Sequence, residues 1–138
     1  MSSAANKIAA IVRCVHRARA EYTLAGDSFK GNFTHQDAAV LNILRGCEAA
    51  VDLANMLVRK KRLGLPGEMK DSFALLDRGG FIPPSLSRQM QNMVGFRNIA
   101  VHQYRDLDID VVEDIIRNRL DDLLLYAETI RTHLADDQ

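Results

Sequence analysis

The chain has 138 residues, with 18 Lys+Arg balanced by 18 Asp+Glu and 47% hydrophobic residues, a size and composition suited to one domain with an adequate core. No apolar run approaches the length of a membrane span and the N-terminus shows no apolar leader block, so a soluble, cytoplasmic protein is expected. Cys14 and Cys47 stand alone, without a CxxC spacing, which predicts buried thiols and argues against a disulfide framework or a metal site.

Along the chain the apolar period is helical throughout. Ile8, Ile11, Val15, Ala18 and Tyr22 form a stripe that predicts a first helix ending before Gly26. Thr34 with Asp37 resembles an acidic capping box and predicts the start of a second helix, striped by Leu41, Leu44, Cys47, Val51, Ala54 and Val58. Leu63-Gly64-Leu65-Pro66-Gly67 breaks the chain, a short helix over Asp71 to Asp77 stops at Gly79-Gly80, and Pro83-Pro84 starts the fourth. A last helix, capped by Asp110 with Glu113 three residues on, runs through Ile115, Leu120, Leu123, Ala127, Ile130 and Leu134. The predicted fold is all-α, an antiparallel bundle of four long helices plus one short helix, in a single domain over residues 1–138.

Charge is balanced in total and uneven in place. Residues 1–105 carry fifteen Lys/Arg against eight Asp/Glu, whereas 106–138 carry three against ten. Lys7, Arg13, Arg17 and Arg19 on the first helix, and the run Arg59-Lys60-Lys61-Arg62, could track a phosphate backbone. Ordinary solvation, and a helix C-terminus for the second run, would explain them as well.

Leu86, Met90 and Met93 mark the apolar stripe of the fourth helix, and continuing its period puts Arg97 on that stripe. A guanidinium there needs an anion, either an internal carboxylate or a phosphate brought by a ligand. His102, five residues on, lies about 140° around the helix from Arg97. Either the helix loosens near Val101, or a site using both side chains is assembled from two chains. Glu48, Asp52 and Asn55 share one face of the second helix and are the internal candidates for orienting Arg97 or His102. On residue types alone, an ion pair for Arg97 and a helix-end position for His102 fit somewhat better than a shared site.

The string Gly95-Phe96-Arg97-Asn98-Ile99-Ala100-Val101-His102-Gln103-Tyr104, followed by the acidic-apolar run from Asp106 to Val112, closely resembles the signature of HEPN-domain proteins of the HepT toxin type. That signature is an arginine, a polar residue, a short spacer, a histidine and a tyrosine two residues further, and the resemblance spans the whole chain. It implies an endoribonuclease toxin working as a homodimer, with Arg97 holding the scissile phosphate, His102 transferring protons and Asn98 in support. It also implies a small MntA-like nucleotidyltransferase antitoxin as partner, with Tyr104 the residue modified by AMP. An extended exit from the helix would set Tyr104 beside His102. The alternative is a non-catalytic HEPN module that binds a nucleotide or the nucleotidyltransferase; a third reading is a helical assembly protein with Arg97 in an interfacial ion pair.

Asp106, Asp108 and Asp110 form a D-x-D-x-D string, but a calcium loop would want glycine and glutamate where Val111 and Arg117 stand. Nothing else supplies the carboxylates of a two-metal nuclease, so neither metal nor cofactor is expected. Chemistry on RNA can proceed without either, because the 2′-hydroxyl is its own nucleophile and needs only proton transfer and stabilisation of charge on phosphorus.

Overall fold

The computed structural model describes residues 3–134. Helix α1 (Ser3–Ala25) buries Ile11, Cys14, Val15 and Ala18, with Ile8 and Tyr22 half-buried against the core. Gly26 stops it at φ 56°, a conformation glycine adopts without penalty. A 3-10 segment (Gly26–Gly31) leads to Asn32, whose side chain accepts from the His35 N–H at 3.1 Å and caps α2 (Phe33–Lys61). The cap therefore lies two residues before the expected Thr34. Asn32 holds the extended dihedrals of a cap, whereas Thr34 is already helical, and the Asp37 side chain is left free for another use.

Helix α2 is the centre of the bundle, packed against α1 and three later helices. Val40, Ile43, Cys47, Ala50, Ala54 and Leu57 all lie at 2% exposure or less, while Leu41, expected on this stripe, is 45% exposed. Close approach needs small residues at the contacts. A Cβ on Gly46 would lie 3.4 Å from the Cys14 Cβ and 3.6 Å from the Leu123 Cδ1, so α1 and the last helix both press on this point. Arg62 ends α2 in the left-handed region (φ 53°), and the Leu63 N–H reaches back to the Val58 carbonyl at 3.0 Å.

The short helix α3 (Met69–Arg78) begins two residues earlier than expected, because Glu68 and not Asp71 is its cap. The Asp71 carboxylate closes that cap by accepting from the Glu68 N–H at 2.9 Å. Helix α4 (Pro84–His102) starts with proline in its first turn and buries Leu86, Met90, Met93 and Val94. The last long helix consists of α5 (Ile109–Asp114), a π-helical turn (Ile115–Arg119) and α6 (Leu120–Leu134). Its cap is Asp108, which accepts from the Asp110 N–H at 2.9 Å, and not Asp110. Glu113, expected to complete that cap, is instead buried and accepts from the Tyr22 hydroxyl at 3.0 Å. Four long helices and one short one make up the bundle, as the sequence predicts, and no strand occurs among the described residues.

Tyr126 ties α6 to the centre. It is fully buried, its hydroxyl donates to the Ala50 carbonyl at 2.8 Å, and its ring meets that of Phe73 edge-on with centroids 5.4 Å apart. We expect Tyr126→Phe to lower the unfolding free energy by about 1 kcal/mol and Tyr126→Ala by about 3–5 kcal/mol, measured by urea titration of helical circular dichroism.

Candidate active site

Arg97 enters the bundle from α4. It is half-buried, its Nε is sealed from solvent without a hydrogen-bond partner, and Nη1 donates to the Asn98 side-chain oxygen at 3.2 Å. Among the described residues no carboxylate pairs with it. Below lies Cys47, whose thiol burial pushes up to about 12 against the opposing pull of the Arg97 charge; the Glu48 carboxylate acts on the same thiol. Arg97 and Glu48 thus share the neighbourhood of Cys47. Asp52 is engaged elsewhere, accepting from Lys7 of α1 at 2.8 Å, and Asn55 accepts from Ser72 of α3.

His102 is the last residue of α4 and is exposed, and its imidazole has no hydrogen bond to another described residue. The helix does not loosen before it: the chain is helical through His102, and the Gln103 N–H still reaches the Ile99 carbonyl at 2.7 Å. Arg97 and His102 therefore stand about 140° apart around one intact helix. Within one chain they present a half-sheltered cation and an exposed imidazole on different faces.

The exit from α4 differs from expectation. Gln103 alone departs from helical geometry, and Tyr104–Asp106 then form a 3-10 turn, not an extended strand. This turn carries Tyr104 toward α2, where its phenol donates to the Asp37 carboxylate. Partial burial, followed by the bond to Asp37, pushes the phenol up to about 12. Tyr104 is nevertheless 45% exposed, at the mouth of a cleft of about 320 Å³ that Phe33, Gln36, Asp37, Arg105 and Leu107 help to line. Asp37 was not legible as a site residue, since its position suggests only a cap for α2.

Pairing also reshapes the basic first helix. Lys7 is engaged by Asp52 and Arg19 by Asp121 at 2.6 Å. Arg13 and Arg17 of α1 and Arg45 of α2 have no carboxylate partner among the described residues, and all three draw down a Cys14 thiol that burial raises. They form one cationic patch across two helices. Among the described residues no three His, Cys, Asp or Glu side chains gather as a metal site, and no helix is long and apolar enough to cross a membrane.

Comparison with known proteins places this geometry in context. Residues 6–130 match the family described as Ribonuclease HepT-like. The chain is 42% identical over 126 residues to the mRNA nuclease HepT of Shewanella oneidensis, covering 91% of this chain and 94% of that protein. It is 29% identical over 87 residues to the tRNA nuclease HepT of Aphanizomenon flos-aquae, covering 63% of this chain and 59% of that one. Among solved structures, the tri-AMPylated Shewanella oneidensis HEPN toxin in complex with its MNT antitoxin superposes with a TM-score of 0.90 at 40% identity, over 96% of this chain and 99% of that one. A Bacillus subtilis cytosolic protein, YutE, shares the fold with a TM-score of 0.77 at 17% identity, over 96% and 91% of the respective chains.

A cation held without an internal anion makes a separable contribution to stability. Arg97→Met keeps the apolar stem and strands no carboxylate, so its unfolding free energy should stay within about 1 kcal/mol of wild type. Breaking a buried ion pair would instead cost about 3–5 kcal/mol. Urea denaturation of the two proteins distinguishes a cation kept for a ligand from one kept for the fold.

Proposed function

The chain belongs to the HepT-like ribonuclease family, and from that premise we propose that it is the endoribonuclease toxin of a toxin–antitoxin pair, acting in the cytoplasm as a homodimer without a metal ion. The observation that carries this reading is the half-buried, unpaired guanidinium of Arg97, held by Asn98 on one face of α4 while His102 stands exposed on another. Neither side chain is complete alone. Two copies of α4 brought together would set the Arg97 of one beside the His102 of the other, giving one groove two cations and two imidazoles.

The chemistry follows from those groups. Arg97 offers the N–H donors of its outer guanidinium nitrogens to the non-bridging oxygens of a phosphodiester, whereas its sealed Nε reaches a phosphate only if the side chain turns outward. One His102 takes the proton of the RNA 2′-hydroxyl as that oxygen attacks the adjacent phosphorus. The other gives a proton to the departing 5′-oxygen. The products are a 2′,3′-cyclic phosphate and a free 5′-hydroxyl. Asn98 steadies the guanidinium, and Glu48, beside Cys47, is close enough to tune the charge of the same region. Arg13, Arg17 and Arg45 supply a sequence-indifferent contact for the RNA backbone. Asp52, engaged with Lys7, supports the site only by fixing α1 on α2.

A nucleotidyltransferase antitoxin is the partner that silences this activity, by adding AMP to the Tyr104 oxygen. Modification there puts bulk and negative charge near the groove, where they compete with RNA phosphate for Arg97.

His102→Ala is expected to lower the RNA cleavage rate at least about 100-fold, with helical content and dimerisation unchanged. Wild-type cleavage should persist in EDTA and leave cyclic phosphate ends, read by mass spectrometry of the RNA. A Mg²⁺-dependent 5′-phosphate product would overturn the mechanism, and nucleotide binding without any cleavage would favour a non-catalytic module.

Tyr104→Phe should remain toxic in growth assays yet escape neutralisation by the antitoxin. Intact-mass analysis of the wild-type chain should show AMP-sized increments that the variant lacks.

A further inference from the structure

We propose that Asp37 prepares Tyr104 for nucleotidylation, holding the phenol oxygen at the cleft mouth and accepting its proton as that oxygen attacks the α-phosphorus of a nucleoside triphosphate. The proposal deepens the reading of Tyr104 as the modified residue and rests on it. The two side chains are sixty-seven residues apart in sequence, Asp37 in the first turns of α2 and Tyr104 in the turn after α4, and the fold brings them into direct hydrogen bonding. Asp37 has no competing structural duty, because Asn32 caps α2 and no ion pair among the described residues involves Asp37. Tyr104 keeps nearly half of its surface open, and the adjoining cleft gives a triphosphate room to approach, with Arg105 on its wall as a contact for the phosphates.

The chemistry needs such a group. An ordinary phenol is already almost wholly protonated at pH 7, and the partial burial of Tyr104 favours the protonated form further. A poised carboxylate removes that barrier by taking the proton as the new bond forms. The step balances as follows: the Tyr104 oxygen bonds to the α-phosphorus, the bond from that phosphorus to the β-bridging oxygen breaks, pyrophosphate leaves, and the phenolic proton passes to Asp37. The triphosphate is ATP, delivered by the nucleotidyltransferase. The competing possibility is that Asp37 is dispensable because the transferase alone takes the proton.

The test uses the full chain and an MNT-type nucleotidyltransferase chosen because it modifies the wild-type protein, with incorporation of labelled AMP followed against the concentration of the acceptor chain. Asp37→Asn keeps an acceptor for the phenol but cannot take its proton. It should lower kcat for AMP transfer about 100-fold or more while leaving the KM for the acceptor chain within about twofold, and Asp37→Glu should restore most of the lost rate. A wild-type kcat in Asp37→Asn would overturn the proposal. So would a raised KM with kcat unchanged, which would make Asp37 a docking contact for the transferase. Tyr104→Phe serves as the separate control: undiminished AMP uptake by that variant would remove the reading of Tyr104 itself, whatever Asp37 does.

Discussion

The position of every candidate site residue depends on the burial of α2. Its middle turns are enclosed by α1, α3, α4 and α6, and its small residues set how near those helices can come. Protein interiors are close-packed, so a helix enclosed on several sides can neither rotate nor slide without opening cavities on one flank and clashes on the other. That restraint passes to α4. It fixes Arg97 over Cys47 and buries Ala100 in the last turn of α4, while His102 in the same turn stays exposed.

Arg97 shows a local cost that the fold tolerates. A guanidinium with a sealed, unbonded Nε is a local loss of stability, since water has been removed from a donor that nothing inside replaces. The arrangement persists because its remaining donors reach Asn98 and the partly open side of α4. On the proposed mechanism a phosphate offsets this cost only if the side chain turns outward on binding, so part of the binding energy goes into that movement.

Much of this could be read from the order of residues. The stripes of α1, α4 and the last helix predict their buried faces, because a helix against a core repeats its apolar positions at a fixed angle. Arg97 stands out for the same reason: it interrupts a stripe with a charge. The caps were less legible. Asn32 takes the place expected for Thr34, Asp108 that for Asp110, and Glu68 opens a helix expected to begin at Asp71, because several capping side chains stand within a few residues of one another and backbone dihedrals choose among them. The inward face of α2 was also misjudged at Leu41, since a helix buried on many sides has no single stripe. Asp37 was illegible as a partner of Tyr104, because sixty-seven residues separate them and only the tertiary fold closes that distance. Asp52 carried the opposite ambiguity: its spacing with Glu48 is regular, but Lys7 of a different helix claims it.

Helix α2 is also a ruler. Asp37 meets Tyr104 near one end and Cys47 lies beneath Arg97 further along; ten residues of helix between them amount to about 15 Å of axial rise. A group attached to the Tyr104 oxygen must extend over much of that length before it can lie across the guanidinium. Reach, and not charge alone, then grades the effect: a compact adduct perturbs the approach to the groove, whereas a linear chain of linked units, lengthened step by step, can lie along it.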